Sequence, residues 1–403
     1  MWRRARVPHR RPGGANLAGP RHEQRVCRLL PAARHHPVHG GLRTRDGALV
    51  VVRRVAQRHR HFFSRFWSQG AYTLVGLPLM FLVSRIPMTF WKRSIWFILG
   101  AACFVQLLVL LTPLGVEIGG NRNWIRIGGF VGQPSEAIKL ALVVWLGVVL
   151  ARKQDLIDDW RHLALPILPI AGGAIGLVVL GGDLGTTIVM AAFVLGGLYF
   201  AGVRLRYLVA GLAGVVVVAM FVAMSSASRM GRIAALFGGT SAANPDVNWQ
   251  IDNGFYALAS GGVFGVGLGN SHSKWSWLPA ADTDFIFAII GEELGLIGAV
   301  VVLLLFVMLA IVFLRIIHSS TDAFPRVTTA AIMVWLIFQA FVNMAVVLGV
   351  IPVLGVPLPL ISAGGTAMIS SMIAIGIVLS FARQNARDAR RAKGSAVRSG
   401  SAA

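Results

Sequence analysis

Long apolar stretches separated by short polar ones run from Gly70 to Arg383. A helix of roughly 20 apolar residues crosses a hydrocarbon core about 30 Å thick, and only helices and closed barrels satisfy their backbone groups in lipid. The pattern therefore predicts an all-α, polytopic bundle with nine visible transmembrane helices, at residues 71–86, 95–114, 134–151, 163–181, 184–201, 206–225, 285–314, 327–349 and 360–382.

Lysine and arginine in the connecting segments predict the orientation of the helices, because short cytoplasmic loops carry an excess of positive charge. Basic residues cluster in alternate connections and in the C-terminal tail, which we place inside: 85–93, 152–161, 204–206, 315–326 and the residues from Arg383 onward. The connections between them face outward, at 115–133, 182–183, 226–284 and 350–359.

Residues 1–58 contradict this orientation. The alternation places the chain just before Gly70 outside, yet this stretch is the most basic of all and is dominated by Arg, His, Pro, Gly and Ala. One further helix before Gly70 would bring both termini inside. We interpret 1–58 as the product of a frame error in GC-rich coding DNA, the alternative being a disordered basic extension. The chain then divides into 1–58, a transmembrane domain at 59–383, and a disordered cytoplasmic tail at 384–403.

The composition supports a membrane protein and argues against two other classes. Of the residues, 56% are hydrophobic and 13% charged, whereas soluble proteins carry about 25% charged residues. The formal net charge of +22 is not organised into a recognisable nucleic-acid-binding motif, so no nucleic-acid partner is expected. Two cysteines cannot build a disulfide framework or a four-thiolate metal site.

The longest outward segment, Asn248–Glu293, combines apolar and acidic residues. Its stretch Phe255–Leu268 is glycine-rich, apolar and too short to span, which predicts a re-entrant or interfacial segment packed against the bundle. Asp284 follows at the start of an apolar helix, where it is either a helix cap or a functional carboxylate. Glu292 lies roughly two turns further on, where an acid needs a polar partner or cavity.

The first outward segment offers a second group of candidates. Trp124 and Arg126 are typical of an interfacial patch that seats a lipid headgroup, although Trp124 alone also suits an ordinary aromatic belt. The run Gln133–Glu136 contains a proline that suits the first turn of a helix. Lys139 is three residues from Glu136 and can pair with it on one helix face. Such a pair is either structural or part of a polar site.

Two more outward segments carry polar or helix-breaking residues. Asp183 lies in a tight turn, where it either caps the following helix or handles a proton or cation. Residues 350–365 contain three prolines and end in a glycine pair, so the freed backbone groups must line a cavity or be buried in protein. Gln339 and Asn343, one turn apart in the preceding span, are predicted to form interhelical hydrogen bonds.

Four motifs occur in this order along the chain: NWIRIGGFVGQPSEAIKLA, GDLGTT, GFYALASGGVFGVGLGNSHSKWSWLPAADTDFIFAIIGEELG and LPLISAGGTA. Together they resemble the SEDS family (shape, elongation, division and sporulation), and most closely its cell-division branch in actinobacteria. The family has ten spans with both termini inside. The resemblance implies a peptidoglycan glycosyltransferase that polymerises lipid II at the outer face of the cytoplasmic membrane. It also implies a class B penicillin-binding protein and other division proteins as partners, and enrichment at the division septum.

The resemblance also implies roles for individual residues. Asp284 lies in the family's DFIF motif and is the expected general base, acting on the GlcNAc 4-hydroxyl of one lipid II while undecaprenyl pyrophosphate leaves from another. The family usually has His or Asn at the position of Asp282. The charge of this additional acid is expected to raise the pKa of either Asp282 or Asp284. The candidate substrate-binding residues are Trp124, Arg126, Gln133, Ser135, Glu136, Lys139, Asp183, Arg232, Lys274, Glu292, Ser362, Gly364 and Gly365.

The leaving pyrophosphate needs positive charge, which arginine, lysine or a divalent ion can supply. The sequence leaves four candidates open, namely Arg126, Lys139, Arg232 and Lys274. A requirement for Mg²⁺ or Mn²⁺ is left open too, although no metal-ligand spacing is evident.

Two other functions fit parts of the sequence. Broken helices and acids within the membrane also suit a transporter, here a lipid II flippase. A scaffold without chemistry of its own, which recruits a division transpeptidase, is the second alternative.

Overall fold

The computed structural model describes Trp67 and residues 69–118, 120–128, 130–236, 245–274 and 278–400. The predicted N-terminal segment, residues 1–58, lies outside these residues. Eleven helices are present in the described part: α1 Gln69–Val83, α2 Met88–Leu111, α3 Pro134–Arg152, α4 Trp160–Leu180, α5 Leu184–Ala201, α6 Leu205–Met224, α7 Ala227–Leu236, α8 Pro245–Gly261, α9 Ile286–Ser319, α10 Ala323–Val347 and α11 Gly365–Gly400.

The predicted transmembrane bundle is confirmed. Within the described residues, eight helices are long and apolar enough to cross a membrane, namely α2 to α6, α9, α10 and the Gly365–Asp388 part of α11. The shorter apolar helix α1 coincides with the first predicted span. The boundaries agree within a few residues, except that the second helix begins at Met88 rather than at residue 95. The tail was predicted to be disordered from residue 384, whereas in the structure α11 continues as a helix to Gly400.

Helices α3, α5 and α10 form the centre of the bundle. Small residues bring their backbones together, as helices in lipid require. A Cβ atom on Gly147 of α3 would collide with Thr328 of α10, and one on Gly197 of α5 would meet a leucine of α3. The fully buried tryptophans Trp145 and Trp335 fill the same centre. The apolar side chains of α6 instead remain largely exposed on the outside of the bundle.

A small antiparallel sheet in the first outward segment was not predicted from the sequence. Strands β1 Gly115–Ile118, β2 Asn121–Ile127 and β3 Phe130–Gly132 pair in the order β1-β2-β3. The backbone amide of Arg122 donates to the carbonyl of Gly181 at 2.9 Å, which ties the sheet to the turn between α4 and α5. The predicted interfacial patch is therefore a β-ribbon attached to the outer end of the bundle.

The predicted re-entrant segment consists of the end of α8 and a glycine-rich loop that packs against α9. Phe264 and Leu268 on this loop are 83% and 76% exposed, as expected for side chains that face lipid. Helix α9 is itself interrupted at Gly295, whose backbone is non-helical with φ 68° and ψ −164°. The discontinuity lies where the loop contacts the helix.

Candidate functional site

Asp284 lies in a turn just before α9, and its carboxylate does not cap that helix. The carbonyl of Ala280 accepts hydrogen bonds from the amides of Thr283, Asp284 and Phe285, each at 3.1 Å. The helix therefore begins one residue later, with Phe285 at the cap position and no side-chain capping bond. The interpretation of Asp284 as a simple helix cap is wrong, and its partly buried carboxylate is free of that structural role.

The segment between α10 and α11 forms a wall beside this turn. Asn343 of α10 donates from Nδ2 to the carbonyls of Asp284 and Val356, both at 2.7 Å. The hydroxyl of Ser362 donates to the carbonyl of Thr283. A Cβ atom on Gly355 would lie 3.7 Å from Oδ2 of Asp284, so the wall approaches the carboxylate itself. The segment thus holds the turn through its backbone, and the side chain of Asp284 remains outside these bonds.

Burial and two neighbouring charges set the acidity of Asp284. Burial, and next to it the negative charge of Asp183, raise the pKa of Asp284 to about 6. The positive charge of Arg232 on α7 opposes this shift. Asp282 also raises the pKa of Asp284, in the direction predicted, but burial and Asp183 are the larger causes. The result is a carboxyl group with a pKa of about 6 whose charged form is favoured by a nearby arginine.

Arg232 is the cation most closely associated with Asp284. Its Nη1 makes one long hydrogen bond, 3.4 Å, to the carbonyl of Val353, and its buried Nε has no partner among the described residues. Burial lowers the pKa of the Arg232 guanidinium, while the charge of Asp284 raises it. A partly buried guanidinium whose Nε is unpaired among the described residues is suited to bind an anion.

Arg229 is a further residue of this site, one that was not among the candidates predicted from the sequence. Its guanidinium donates to the carbonyls of Gly182 at 3.1 Å and Val222 at 2.9 Å. It therefore fixes α7 against the α4–α5 turn. The sequence feature that could have indicated Arg229 is its three-residue spacing from Arg232, which places both on one face of a helix.

Asp183 caps α5, which is one of the two roles predicted for it. Oδ1 accepts from the amide of Thr186 at 2.9 Å, and Oδ2 accepts from the Thr186 hydroxyl at 2.7 Å. Gln133 also donates from Nε2 to Oδ2 at 2.8 Å. Burial raises the pKa of Asp183 in spite of these hydrogen bonds. The structure therefore brings Gln133 and Asp183 together on the side of the site occupied by Arg232.

The predicted pair of Glu136 and Lys139 is present and fully buried in α3. Their charged atoms are 2.8 Å apart, and Ser370 of α11 donates to the second carboxylate oxygen at 2.7 Å. Lys139 also donates to Oε1 of Gln339 at 3.1 Å and lies over the ring of Trp335. Because these partners already occupy the ammonium, the structure does not support Lys139 as a direct phosphate ligand. Buried charges need such partners.

Gln339 connects this buried pair to the wall of the site. Its Nε2 donates to the carbonyl of Pro357 at 2.8 Å, next to the carbonyl of Val356 that Asn343 binds. The predicted interhelical hydrogen bond is confirmed for Gln339, which accepts from Lys139 of α3, whereas Asn343 bonds backbone carbonyls outside the helices. The neighbouring Ser135 is buried too, but its hydroxyl has no hydrogen-bond partner among the described residues.

The structure places several other predicted residues outside this group. Trp124 and Arg126 lie on β2, with Arg126 exposed. Glu292 and Lys274 contact the outward loop rather than a cavity, since Lys274 pairs with Glu293 at 2.5 Å.

The glycine pair separates into two environments. A Cβ atom on Gly365 would collide with the ring of Tyr72, so this glycine permits α1 to pack against α11. Gly364 would meet only ordinary contacts with Ala367 and Pro357. The hydroxyl of Ser362 also accepts a hydrogen bond from the amide of Leu358 at 2.8 Å. These contacts give Ser362 a structural role in the wall and Gly365 one in helix packing, and they assign none to Gly364.

Comparison with known proteins identifies the family. The sequence profile described as cell cycle protein, for FtsW, RodA and SpoVE, matches residues 47–387. The chain belongs to the SEDS family. The match begins within the predicted segment 1–58, whose boundary stays a prediction. As a SEDS member with eight long apolar helices in its described part, the chain is a multi-pass membrane protein.

Individual SEDS proteins support an FtsW-like member. The probable peptidoglycan glycosyltransferase FtsW of Mycobacterium tuberculosis is 40% identical over 318 residues, which cover 79% of this chain. The chain spans about 60% of that relative's length. The rod shape determining protein RodA of Thermus thermophilus is 26% identical with a TM-score of 0.58, covering 79% of this chain and 87% of RodA.

A second solved structure concerns the coordination of polymerization and crosslinking by a peptidoglycan synthase complex. One of its chains is 25% identical to this one, with a TM-score of 0.65 and coverage of 80% of this chain and 90% of that chain. The predicted SEDS fold is therefore confirmed.

Proposed function

We propose that this chain is a peptidoglycan glycosyltransferase that polymerises lipid II at the outer face of the cytoplasmic membrane. The observation that carries the proposal is the partly buried carboxylate of Asp284, which has no capping role and lies within the electrostatic influence of Arg232. The names of the FtsW relatives support the same reaction.

Asp284 acts as the general base in this reaction. Its carboxylate takes the proton from the GlcNAc 4-hydroxyl of the acceptor, and the oxygen attacks C1 of the donor MurNAc. The new C1–O bond forms as the bond from C1 to the phosphate oxygen breaks with inversion, and undecaprenyl pyrophosphate leaves with the electron pair. A base whose pKa is about 6 is ionised at neutral pH and more basic than an exposed aspartate.

Arg232 stabilises the charge that develops on the leaving pyrophosphate. Its Nε, which has no partner in the described part of the chain, and its partial burial suit this role, since fixed cations act more strongly where water is excluded. Among the other cationic candidates, Lys139 and Lys274 have ion-pair partners within the described residues, and Arg126 is exposed on the sheet.

A requirement for Mg²⁺ or Mn²⁺ stays a prediction for this site. The described residues contain no group of three His, Cys, Asp or Glu side chains able to bind a metal. Any Mg²⁺ or Mn²⁺ would therefore be bound largely by the substrate's own phosphates, as is usual for Mg²⁺. The chain itself supplies the base in Asp284 and a positive charge in Arg232.

Partners and location follow from the same proposal. The synthase complex among the structural neighbours supports a class B penicillin-binding protein as the partner that crosslinks the new strand. Other division proteins as further partners and enrichment at the division septum belong to the same proposal, and the family description as cell cycle protein is in line with them.

The activity should depend on pH with a midpoint near 6. Because the base must be ionised, kcat/KM should rise about tenfold per pH unit below pH 6 and level off above it. The measurement is the initial rate of lipid II polymerisation from pH 4.5 to 8.5. A flat profile across this range would contradict the assignment of the base to a group with this pKa.

Purified protein and lipid II test the function directly. The full chain, alone and with its class B partner, is incubated with lipid II in detergent or vesicles, and glycan strands are separated by length. Strands made without any other polymerase support the transferase. Transbilayer movement of lipid II without strands would instead favour the flippase. Recruitment of the transpeptidase with neither activity would favour the scaffold.

A further inference from the structure

The break in α9 is filled by the backbone of the outward loop. The amides of Val266 and Gly267 donate to the carbonyls of Glu292 and Glu293 at 2.9 and 3.1 Å. In return, the amide of Leu296 donates to the carbonyl of Gly262 at 2.9 Å. The groups that the helix loses are thus satisfied by the loop, as buried backbone groups must be. Helix α9 consists of a short segment, Ile286–Glu293, and a membrane-spanning segment, Leu296–Ser319.

Two glycines make this exchange possible. A Cβ atom on Gly265 would collide with the carbonyl of Glu293, and one on Gly295 would collide with the carbonyl of Val263. Both have positive φ, 82° and 68°. The loop therefore lies in backbone contact with the helix at its break, a close approach that needs glycine.

The carboxylate of Glu292 attaches the next part of the loop to the short segment. It accepts hydrogen bonds from the hydroxyl of Ser271 at 2.6 Å and the amide of His272 at 2.9 Å, with the amide of Ser273 at 3.4 Å from both oxygens. The side chain is 2% exposed. The loop thereby supplies the hydrogen-bond donors that a buried carboxyl group needs.

The residues that Glu292 binds are connected to the turn that carries Asp284. The amide of Leu278 donates to the carbonyl of Ser273 at 3.1 Å. Leu278 lies two residues before Ala280, whose carbonyl accepts from the amide of Asp284, and α9 begins soon afterwards at Ile286. The turn is therefore linked to the short segment of α9 in two ways, covalently and through Ser273 and the carboxylate of Glu292.

We propose that Glu292 is a positioning residue that holds the Asp284 turn in its reactive place. This inference rests on the proposed function, since it assigns a role relative to the base. Without the carboxylate, residues 271–273 lose the hydrogen bonds that fix them to α9. The Asp284 turn then keeps its own backbone bonds and those from Asn343 and Ser362 but loses this support from the loop side. A displacement of about 1 Å can lower a rate by about 10²-fold.

Replacing Glu292 with alanine or glutamine tests the proposal. We expect Glu292→Ala to lower kcat about 10²-fold with little change in KM, because the substrate contacts remain while the base is misplaced. The pH midpoint should also fall, since a more hydrated Asp284 has a lower pKa. Glu292→Gln should keep kcat within about tenfold of the wild type, because its amide can bond both His272 and Ser271.

The matched control is Glu293→Gln, one residue further along the same helix. Its partner Lys274 can still donate to the amide oxygen, so kcat and the pH profile should stay unchanged. Hydrogen exchange of residues 271–285 is measured in the same proteins. Faster exchange there in Glu292→Ala, with the remaining helices protected as in the wild type, is the expected result.

Each other outcome contradicts the proposal. A Glu292→Ala protein with the wild-type kcat and pH midpoint would show that the carboxylate does not position the base. Unchanged exchange of 271–285 would show that it does not hold the loop. If the wild type makes no glycan strands, the proposed function fails, while the exchange data still decide whether Glu292 holds the loop.

Discussion

Replacing Asp284 with asparagine should abolish lipid II polymerisation, with kcat lowered by about 10²- to 10⁴-fold, the usual contribution of a general base. The amide has nearly the shape of the carboxyl group but cannot accept the proton of the sugar hydroxyl. The turn should stay intact, because its hydrogen bonds are made by the backbone of Ala280 and by Asn343. Strand length and the single-turnover rate with lipid II measure the loss.

The same replacement should make the protein more stable at neutral pH. The folded pKa of Asp284, about 6, is above the unfolded value of about 3.9. Folding therefore favours the protonated form, and stability falls as the pH rises from about 4 to about 6, then stays at its lower value. The shift corresponds to about 3 kcal/mol above pH 6. Asp284→Asn removes the charge, so it should recover much of this lost stability at pH 7.5 and little at pH 4.

Asp282→Asn is the matched control for both effects. It removes a carboxylate two residues away, which only moderately raises the pKa of Asp284. We expect it to keep polymerisation at pH 7.5 and to move the pH midpoint downward. An Asp284→Asn protein that polymerises at the wild-type rate, or that melts below the wild type at pH 7.5, would contradict the assignment.

The transmembrane helices could be predicted from the sequence because their signal is local. Apolar length and the charges of neighbouring loops fix each span without knowledge of its partners. The three-stranded sheet was missed because its strands, four, seven and three residues long, are too short for alternation to stand out. Its attachment to the bundle includes the bonds from Arg122 to Gly181 and from Gln106 of α2 to Asn123, which no local pattern indicates.

The site was only partly predictable because its members are far apart in the chain. The motif around Asp284 indicated the base, and the three-residue spacing indicated the pair of Glu136 and Lys139. The partner of Asp183 is 50 residues away at Gln133. An acidic residue such as Glu292 could be recognised from the sequence as unusual within an apolar helix. Only the structure shows that its partners are Ser271 and His272 in the outward loop.

Arg232→Met should lower kcat by about 10²- to 10³-fold, the loss typical when one stabilising donor of a transition state is removed. Methionine keeps much of the apolar stem's volume, and the helix α7 should stay in place because Arg229 fixes it to Gly182. Arg232→Lys should be intermediate, since lysine keeps the charge but loses the fork of donors. The control is Arg204→Met, which removes an exposed ion pair with Asp158. Its kcat should equal that of the wild type.

The pH profile separates the two ways in which Arg232 can act. Its charge lowers the pKa of Asp284, so Arg232→Met should move the midpoint of the profile above 6. If the guanidinium also stabilises the leaving pyrophosphate, kcat must stay low at pH 8.5, where Asp284 is ionised in both proteins. Full recovery of kcat at high pH would restrict Arg232 to tuning the base. In that case another cation must carry the phosphate charge, because the bond to the leaving group still has to break.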